Sequence, residues 1–113
     1  MWLDRNIYKE NLEGLGNSPA GGSDPALDLP GLRDMTLKAV EILHKRGGDD
    51  GFFLMSEAAS IDKMMHVLSY QNALGDLLEL DDTVRATVLK LEELDILKDT
   101  LVVVSADHGH GFE

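Results

Sequence analysis

The 113-residue chain contains no cysteine, which excludes a disulfide framework and any zinc site built on thiolates. Positive charge is also scarce. Ten lysines and arginines stand against 21 acidic residues, and the net charge is −11. Such an acidic balance argues against a nucleic-acid partner. Any metal site must therefore use oxygen and imidazole ligands, which the carboxylates and the four histidines can supply.

Long apolar runs are missing as well. No stretch of 18 apolar residues occurs, and the first thirty residues lack the apolar centre of a signal peptide, so these residues predict neither a membrane span nor an export signal. All three prolines lie within residues 1–30, together with several glycines and no helical or alternating pattern. We therefore predict an irregular loop or insert over residues 1–30 and a folded region over residues 31–113.

Two segments have the apolar spacing of helices. The first ends at Gly47-Gly48, a glycine stop, and carries His44 in its last turn, where we expect a structural role at the negative end of the helix. The second predicts a long helix to about Leu97, with a break near Asp81-Asp82 as an alternative. Their apolar positions are Leu32, Met35, Ala39, Ile42 and Leu43, then Tyr70, Leu74, Leu77, Leu80, Val84, Val88, Leu91 and Leu94.

Two short apolar runs, residues 52–55 and 100–105, have the composition of buried strands. With the long helix between them they predict a βαβ unit whose two strands are parallel. The expected fold class is therefore α/β, as part of a doubly wound, mostly parallel sheet with helices on both faces.

Acids and histidines follow both predicted strands. Asp62 and His66 are spaced i, i+4, so a helical turn would place them on one face, where they can chelate one ion. The carboxyl ends of parallel strands share one sheet edge, so we expect the two clusters to converge there. Oxygen and nitrogen ligands without sulfur suit zinc or manganese, with magnesium an option at Glu57. The clusters are Glu57, Asp62 and His66 after the first strand, and Asp107, His108 and His110 after the second.

The run Glu57-Ala-Ala-Ser-Ile-Asp62-Lys63-Met-Met-His66, followed by Leu101-Val-Val-Val-Ser-Ala-Asp107-His108-Gly-His110, closely resembles the two downstream metal motifs of the alkaline phosphatase family. The resemblance runs from about Pro30 to the end, so residues 31–113 would be part of such a catalytic domain. It implies a magnesium ligand at Glu57, first-zinc ligands at Asp62 and His66, and second-zinc ligands at Asp107 and His108. It also implies that His110 orients a ligating carboxylate and that Lys63 reaches bound phosphate through water.

Members of this family hydrolyse phosphate monoesters with two zinc ions, roughly 4 Å apart, and one magnesium ion, through a phosphorylated serine. The family's Asp-Ser-Ala nucleophile, several upstream ligands and the C-terminal zinc histidine have no match in these 113 residues. We therefore expect this chain alone to be inactive, and we expect the missing motifs to be encoded on either side of it. The family is usually homodimeric and works in the periplasm, in the vacuole, at the cell surface or outside the cell.

Two other interpretations stay open. A cofactor-independent phosphoglycerate mutase shares the Ala-Asp-His-Gly motif and an Asp-x-x-x-His, but a glycine usually precedes its histidine where this chain has Met65, and it lacks a glutamate at the position of Glu57. The second alternative is a non-catalytic βαβ module that binds metal.

Overall fold

The computed structural model describes residues 30–111, so almost all of the irregular region predicted at residues 1–30 lies outside the described residues. Three helices form the described part: α1 (Leu32–Gly47), α2 (Ser60–His66) and α3 (Tyr70–Glu93). Single 3-10 turns follow at Gly48–Asp50 and Leu97–Asp99. None of the described helices has the length and apolar character needed to cross a membrane.

The predicted α/β fold is wrong for the described residues, which contain helices and no strand. Residues 52–55 and 100–105 are not helical, and among the described residues no backbone hydrogen bond pairs the two runs with each other. The Thr100 N–H donates to the Leu97 carbonyl, a turn contact and not a strand ladder. A strand exists only when a neighbour completes its hydrogen-bond ladder, and β-branched composition cannot supply that neighbour. The side chains of Phe53 and Leu101 are accordingly exposed, by 86% and 88%. The parallel βαβ unit predicted from these segments is therefore absent here.

Helix α1 begins and ends where its sequence predicts. The Gly31 N–H donates to Asp34 Oδ2 at 3.3 Å, which satisfies one of the amide groups left free at a helix start. The helix ends at Gly47, and Gly48 follows with φ of 49°, a conformation that glycine adopts without a steric cost. His44 lies in the last turn as predicted, beside two other basic residues.

Helix α3 is continuous through Asp81-Asp82, so the alternative of a break there is wrong. The buried side of this helix differs in part from the predicted apolar stripe. Of the predicted stripe, Leu91 is buried, but Leu74 and Leu77 are about half exposed, and several small and polar residues between stripe positions are buried instead. These buried residues are Ala73, Asp76, Glu79, Thr83 and Ala86.

A buried carboxylate joins α3 to the start of α1. Glu79, only 4% exposed, accepts a hydrogen bond from the Leu32 N–H through Oε1 at 2.8 Å. A negative group at a helix N-terminus is favourable because the free amides and the helix dipole both attract it. Farther out, Arg33 pairs with Asp82 at 3.2 Å, an exposed contact that adds little stability. Glu79 therefore fixes the position of α1 on α3.

A second contact, one turn into α1, holds the nonhelical segment that leads to Glu57 and α2. Thr36 Oγ1 lies 2.6 Å from Ser56 Oγ, and Thr36 is buried. Ser56 immediately precedes Glu57, so this hydrogen bond ties the extended segment to the helix. Helices α1 and α3 thus form the support on which the segment before α2 rests.

Candidate metal centre

Helix α2 presents Asp62 and His66 on one face, as their i, i+4 spacing predicts. His66 Nε2 lies 3.3 Å from Asp62 Oδ2. The helix is anchored through Met65, which is 5% exposed, so its other face is free to carry the two polar side chains. The prediction that a helical turn brings this carboxylate and this imidazole together is confirmed.

A third side chain reaches the same carboxylate from the C-terminal segment. His110 Nε2 lies 3.6 Å from Asp62 Oδ1, and the imidazole rings of His110 and His66 meet edge to face with centroids 4.8 Å apart. Ligand atoms of all three residues lie within 4.8 Å of one another. Two imidazoles and one carboxylate therefore converge at the face of α2.

The donor set fits a zinc ion. Atoms that share a tetrahedral zinc at about 2.0 to 2.2 Å are separated by about 3.3 to 3.6 Å. The distances of 3.3 Å from Asp62 Oδ2 to His66 Nε2 and 3.6 Å from Asp62 Oδ1 to His110 Nε2 are of that size, although they run to different oxygens and the whole group extends over 4.8 Å. Both exceed the usual length of a hydrogen bond between nitrogen and oxygen. Oxygen and imidazole nitrogen are also ligand types that zinc accepts.

Asp107 and His108 form a separate pair. His108 Nε2 lies 3.4 Å from Asp107 Oδ2, and His108 Nδ1 lies 2.8 Å from the Gly109 carbonyl oxygen. Among the described residues, neither joins the group of Asp62, His66 and His110. The hydrogen bond to the Gly109 carbonyl, followed by the charges of Asp107 and Asp62, raises the pKa of His108 above its ordinary value of 6.5.

We expect the ring protons of His108 in the metal-free chain to titrate with a midpoint above 6.5, as followed by NMR. A raised pKa in the folded chain means that His108 adds stability below its unfolded-state pKa, and that this contribution disappears as pH rises through the folded value. Asp107→Asn should lower the midpoint only in part, because the Gly109 carbonyl remains. A midpoint unchanged by Asp107→Asn would contradict the role of that carboxylate.

Glu57 lies apart from this group. It is exposed and lines a cleft of about 190 Å³, together with the buried acids Asp76 and Glu79 of α3. The predicted convergence of all six acids and histidines is therefore realised for Asp62, His66 and His110 only, because no sheet brings the two chain segments to a common edge. The individual ligand assignments stay predictions.

Sequence reasoning missed two supporting contacts. One is the contact of Glu79 with the start of α1, although Asp76, Glu79 and Thr83 recur at steps of three and four and so indicate a polar stripe on α3. The Thr36–Ser56 hydrogen bond joins residues twenty positions apart and has no local signature. Lys63 is exposed on α2, next to Asp62 in the chain, and its contact with phosphate stays a prediction.

The helical support gathers one carboxylate and two imidazoles that together could hold a metal ion. A family model described as alkaline phosphatase matches residues 4–113. The chain belongs to the alkaline phosphatase family. The predicted family membership is thereby confirmed.

Several curated proteins are similar over most of the chain. Alkaline phosphatase H of Pseudomonas aeruginosa is 37% identical over 110 residues, which are 96% of this chain and 22% of that protein. Alkaline phosphatase of Escherichia coli is 42% identical over 82 residues, 73% of this chain and 16% of that protein. The human tissue-nonspecific isozyme is 36% identical over 83 residues, 74% of this chain and 15% of that protein.

The chain thus spans 15 to 22% of the length of these curated relatives. The comparison with solved structures found no match. Family membership therefore rests on the sequence, and the geometry of the site on the structure described above.

Proposed function

We propose that this chain supplies metal ligands to a phosphate monoester hydrolase. The observation that carries the proposal is the convergence of Asp62, His66 and His110 at the face of α2, in a chain that belongs to the alkaline phosphatase family. A metal-dependent function follows from the family; the identity and number of ions are proposed here. They are two zinc ions and one magnesium ion.

The resemblance and the geometry together suggest a role for each residue. Asp62 and His66 hold the first zinc, and their ligand atoms are already 3.3 Å apart. Asp107 and His108 hold the second zinc, and they too are adjacent, at 3.4 Å. Glu57 binds magnesium, and Lys63 contacts the phosphate of the substrate through water. In the family pattern, His110 supports a ligating carboxylate.

When bound, such metal ions stabilise the charge on a reacting oxygen and activate a hydroxyl nucleophile. The residues of this chain keep the carboxylates and imidazoles in place for that chemistry. The buried acid Glu79 fixes α1, Thr36 holds Ser56, and Ser56 precedes Glu57. These contacts position the backbone that leads to Glu57, whose own side chain is exposed.

A chimaera tests the proposal. The 82-residue segment of the Escherichia coli relative that aligns with this chain would be replaced by the corresponding residues of this chain. We expect the purified chimaera, supplied with zinc and magnesium, to hydrolyse p-nitrophenyl phosphate. Asp62→Ala in the chimaera should reduce kcat/KM by about 100-fold or more, because a ligand contributes at least as much as the outer contacts around it.

His44→Gln serves as the matched control, since His44 lies in the last turn of α1 and outside the metal group. It should leave the rate within about twofold. A folded, metal-loaded chimaera without activity would contradict the proposal. A non-catalytic metal-binding module would then be the better interpretation. Activity that survives Asp62→Ala would instead contradict the assignment of Asp62 as a zinc ligand.

The 113-residue chain by itself should not hydrolyse p-nitrophenyl phosphate above a control containing the metals alone. The reason is chemical: its sequence has no serine in an Asp-Ser-Ala setting to form the covalent intermediate. The measurement is release of p-nitrophenol at saturating zinc and magnesium. Turnover that is lost on Asp62→Ala would overturn this expectation.

The remaining expectations concern partners and location. We propose that the enzyme to which this chain belongs is a homodimer that acts on phosphate monoesters and binds no nucleic acid. We also propose that it works in the periplasm or vacuole, at the cell surface or outside the cell. The resemblance to the family supports these proposals, and the net charge of −11 supports the absence of a nucleic-acid partner.

A further inference from the structure

We infer that Thr36 is a positioning residue for Glu57, which it holds through a hydrogen bond to Ser56. The inference rests on the proposed function for the role of Glu57 as a metal ligand. Thr36 itself would not touch the metal, because its hydroxyl contacts the residue before the ligand. Contacts that orient metal ligands typically change metal affinity or activity by about 10- to 100-fold when they are removed.

The first argument is the way in which Thr36 uses its hydroxyl group. A threonine in or beside a helix can donate its hydroxyl to the carbonyl group four residues earlier. Thr83, Thr87 and Thr100 all do this, at 2.7 to 2.8 Å. Thr36 lies within α1, but its hydroxyl is 2.6 Å from Ser56 Oγ, twenty positions along the chain. Its side chain therefore links two segments, whereas the other threonines bond within their own helix or turn.

The second argument is that Thr36 lies on a fixed part of α1. Thr36 is 6% exposed, and Val40, one turn later on the same face, is 2% exposed. The start of the helix is also held, because the Leu32 N–H donates to the buried carboxylate of Glu79 at 2.8 Å. A branched side chain that is stiff and packed restricts its hydrogen-bond partner more than a mobile surface side chain does.

The third argument concerns the segment that ends at Glu57. In the described part of the chain, no backbone hydrogen bond joins residues 51–57 to another segment. Phe52 and Leu54 are half-buried, whereas the residues that alternate with them are exposed. Alternate side chains of an extended chain lie on the same side, so Ser56 follows on the partly covered side. Its hydroxyl contact with α1 therefore fixes the end of a segment that has no ladder of backbone hydrogen bonds.

Loss of this contact should change the position of Glu57 and leave the fold intact. Ser56 is exposed, so water can replace the Thr36 hydroxyl as its partner, and little stability is lost when the bond is removed. Water, however, does not hold the serine against α1. The carboxylate that follows it would then sample a wider range of positions, and a metal ion would have to restrict them on binding.

The first measurement is the backbone order of Glu57 in the 113-residue chain, from ¹⁵N relaxation. Order parameters are about 0.85 in rigid backbone and below about 0.6 in flexible backbone. Thr36→Val replaces the hydroxyl by a methyl group of similar size. We expect it to move the order parameters of Ser56 and Glu57 from the rigid towards the flexible value. Thr36→Ser, which keeps a hydroxyl, should restore them.

Thr83→Val is the matched control. Thr83 is also a buried helix threonine, 4% exposed, but its hydroxyl donates to the Glu79 carbonyl of its own helix. The same chemical change there should leave the order parameter of Glu57 unaltered. Ser56→Ala removes the hydrogen bond from its exposed end without changing a buried side chain, so it should repeat the effect of Thr36→Val even if that variant folds poorly.

The second measurement follows magnesium in the chimaera with the Escherichia coli relative. At saturating zinc, Thr36→Val should raise the magnesium concentration for half-maximal hydrolysis of p-nitrophenyl phosphate by about 10-fold. The zinc content per chain should stay the same. Thr36→Ser should restore the magnesium dependence, and Thr83→Val should not shift it. A general loss of packing would lower the rate without this selective shift.

The outcomes distinguish the inference from the proposed function. Unchanged order parameters in both Thr36→Val and Ser56→Ala would overturn the inference. A magnesium dependence that shifts in Glu57→Gln but not in Thr36→Val would also overturn it. If Glu57→Gln leaves the magnesium dependence unchanged, Glu57 is not the ligand and both fail. A chimaera without activity would contradict the proposed function alone, and the order parameters would still decide whether Thr36 holds Glu57.

Discussion

Asp62→Asn should lower the zinc affinity of the chain by about 100-fold or more, the largest loss expected from a single substitution in the site. Asp62 is the group that both imidazoles approach, and its two oxygens lie 3.3 and 3.6 Å from the Nε2 atoms of His66 and His110. The amide removes the negative charge that compensates the ion and leaves one oxygen as a weak ligand. Even contacts outside the ligands cost 10- to 100-fold when they are removed, so about 100-fold is a lower bound.

The matched control is Asp81→Asn. Asp81 also forms an i, i+4 pair, with Arg85 at 3.1 Å on α3, and its substitution changes the net charge by the same amount. We expect this variant to bind zinc as the unaltered chain does, in a competition titration at constant pH and ionic strength. Equal losses of zinc affinity in the two variants would mean that the affinity depends on the overall negative charge of the chain and not on a specific site.

The helices could be predicted from sequence because their signals are local. Apolar residues at steps of three and four, together with Gly47-Gly48, predict α1, and the structure places its end at Gly47. The same reasoning puts Asp62 and His66 on one face of α2, where their atoms are 3.3 Å apart. In each case the residues that determine the geometry lie within one or two helical turns of each other.

The strands could not be predicted in this way, because a strand depends on a partner. The β-branched run at residues 102–104 fits a pleated, half-buried surface, but composition says nothing about which segment would pair with it. The described residues 30–111 contain no such partner. The predicted convergence of all the acids and histidines depends on a parallel sheet, so it fails where the described residues form no sheet.

Which residues of α3 are buried could also be predicted only in part from the sequence. Periodicity predicts that one side of this helix is apolar, but the packing partner decides which side is covered. The small side chains of Ala73 and Ala86 lie on the covered side, and so does Glu79, whose carboxylate is bonded to the Leu32 N–H. Leu74 and Leu77 stay half exposed because no described segment covers them. Likewise, His110 reaches Asp62 through the fold, which no spacing in the sequence reveals.

Leu91→Ala should destabilise the described helical unit by about 2 to 5 kcal/mol, because truncating a buried leucine loses apolar burial and leaves a cavity. Leu91 is 2% exposed, and it is one of only five buried hydrophobic residues in the described part of the chain. Total stability is a small difference between large terms, so a loss of this size can remove most of it. The measurement is urea unfolding of the 113-residue chain, followed by circular dichroism at 222 nm.

Leu89→Ala is the matched control, since it makes the same chemical change two residues away on the same helix, at a side chain that is 59% exposed. We expect its free energy of unfolding to stay within about 0.5 kcal/mol of the unaltered chain. A Leu91→Ala chain with no cooperative transition would agree with a loss at the upper end of the expected range. Equal midpoints for the two variants would instead show that Leu91 is not buried, and the packing of α3 described above would then be wrong.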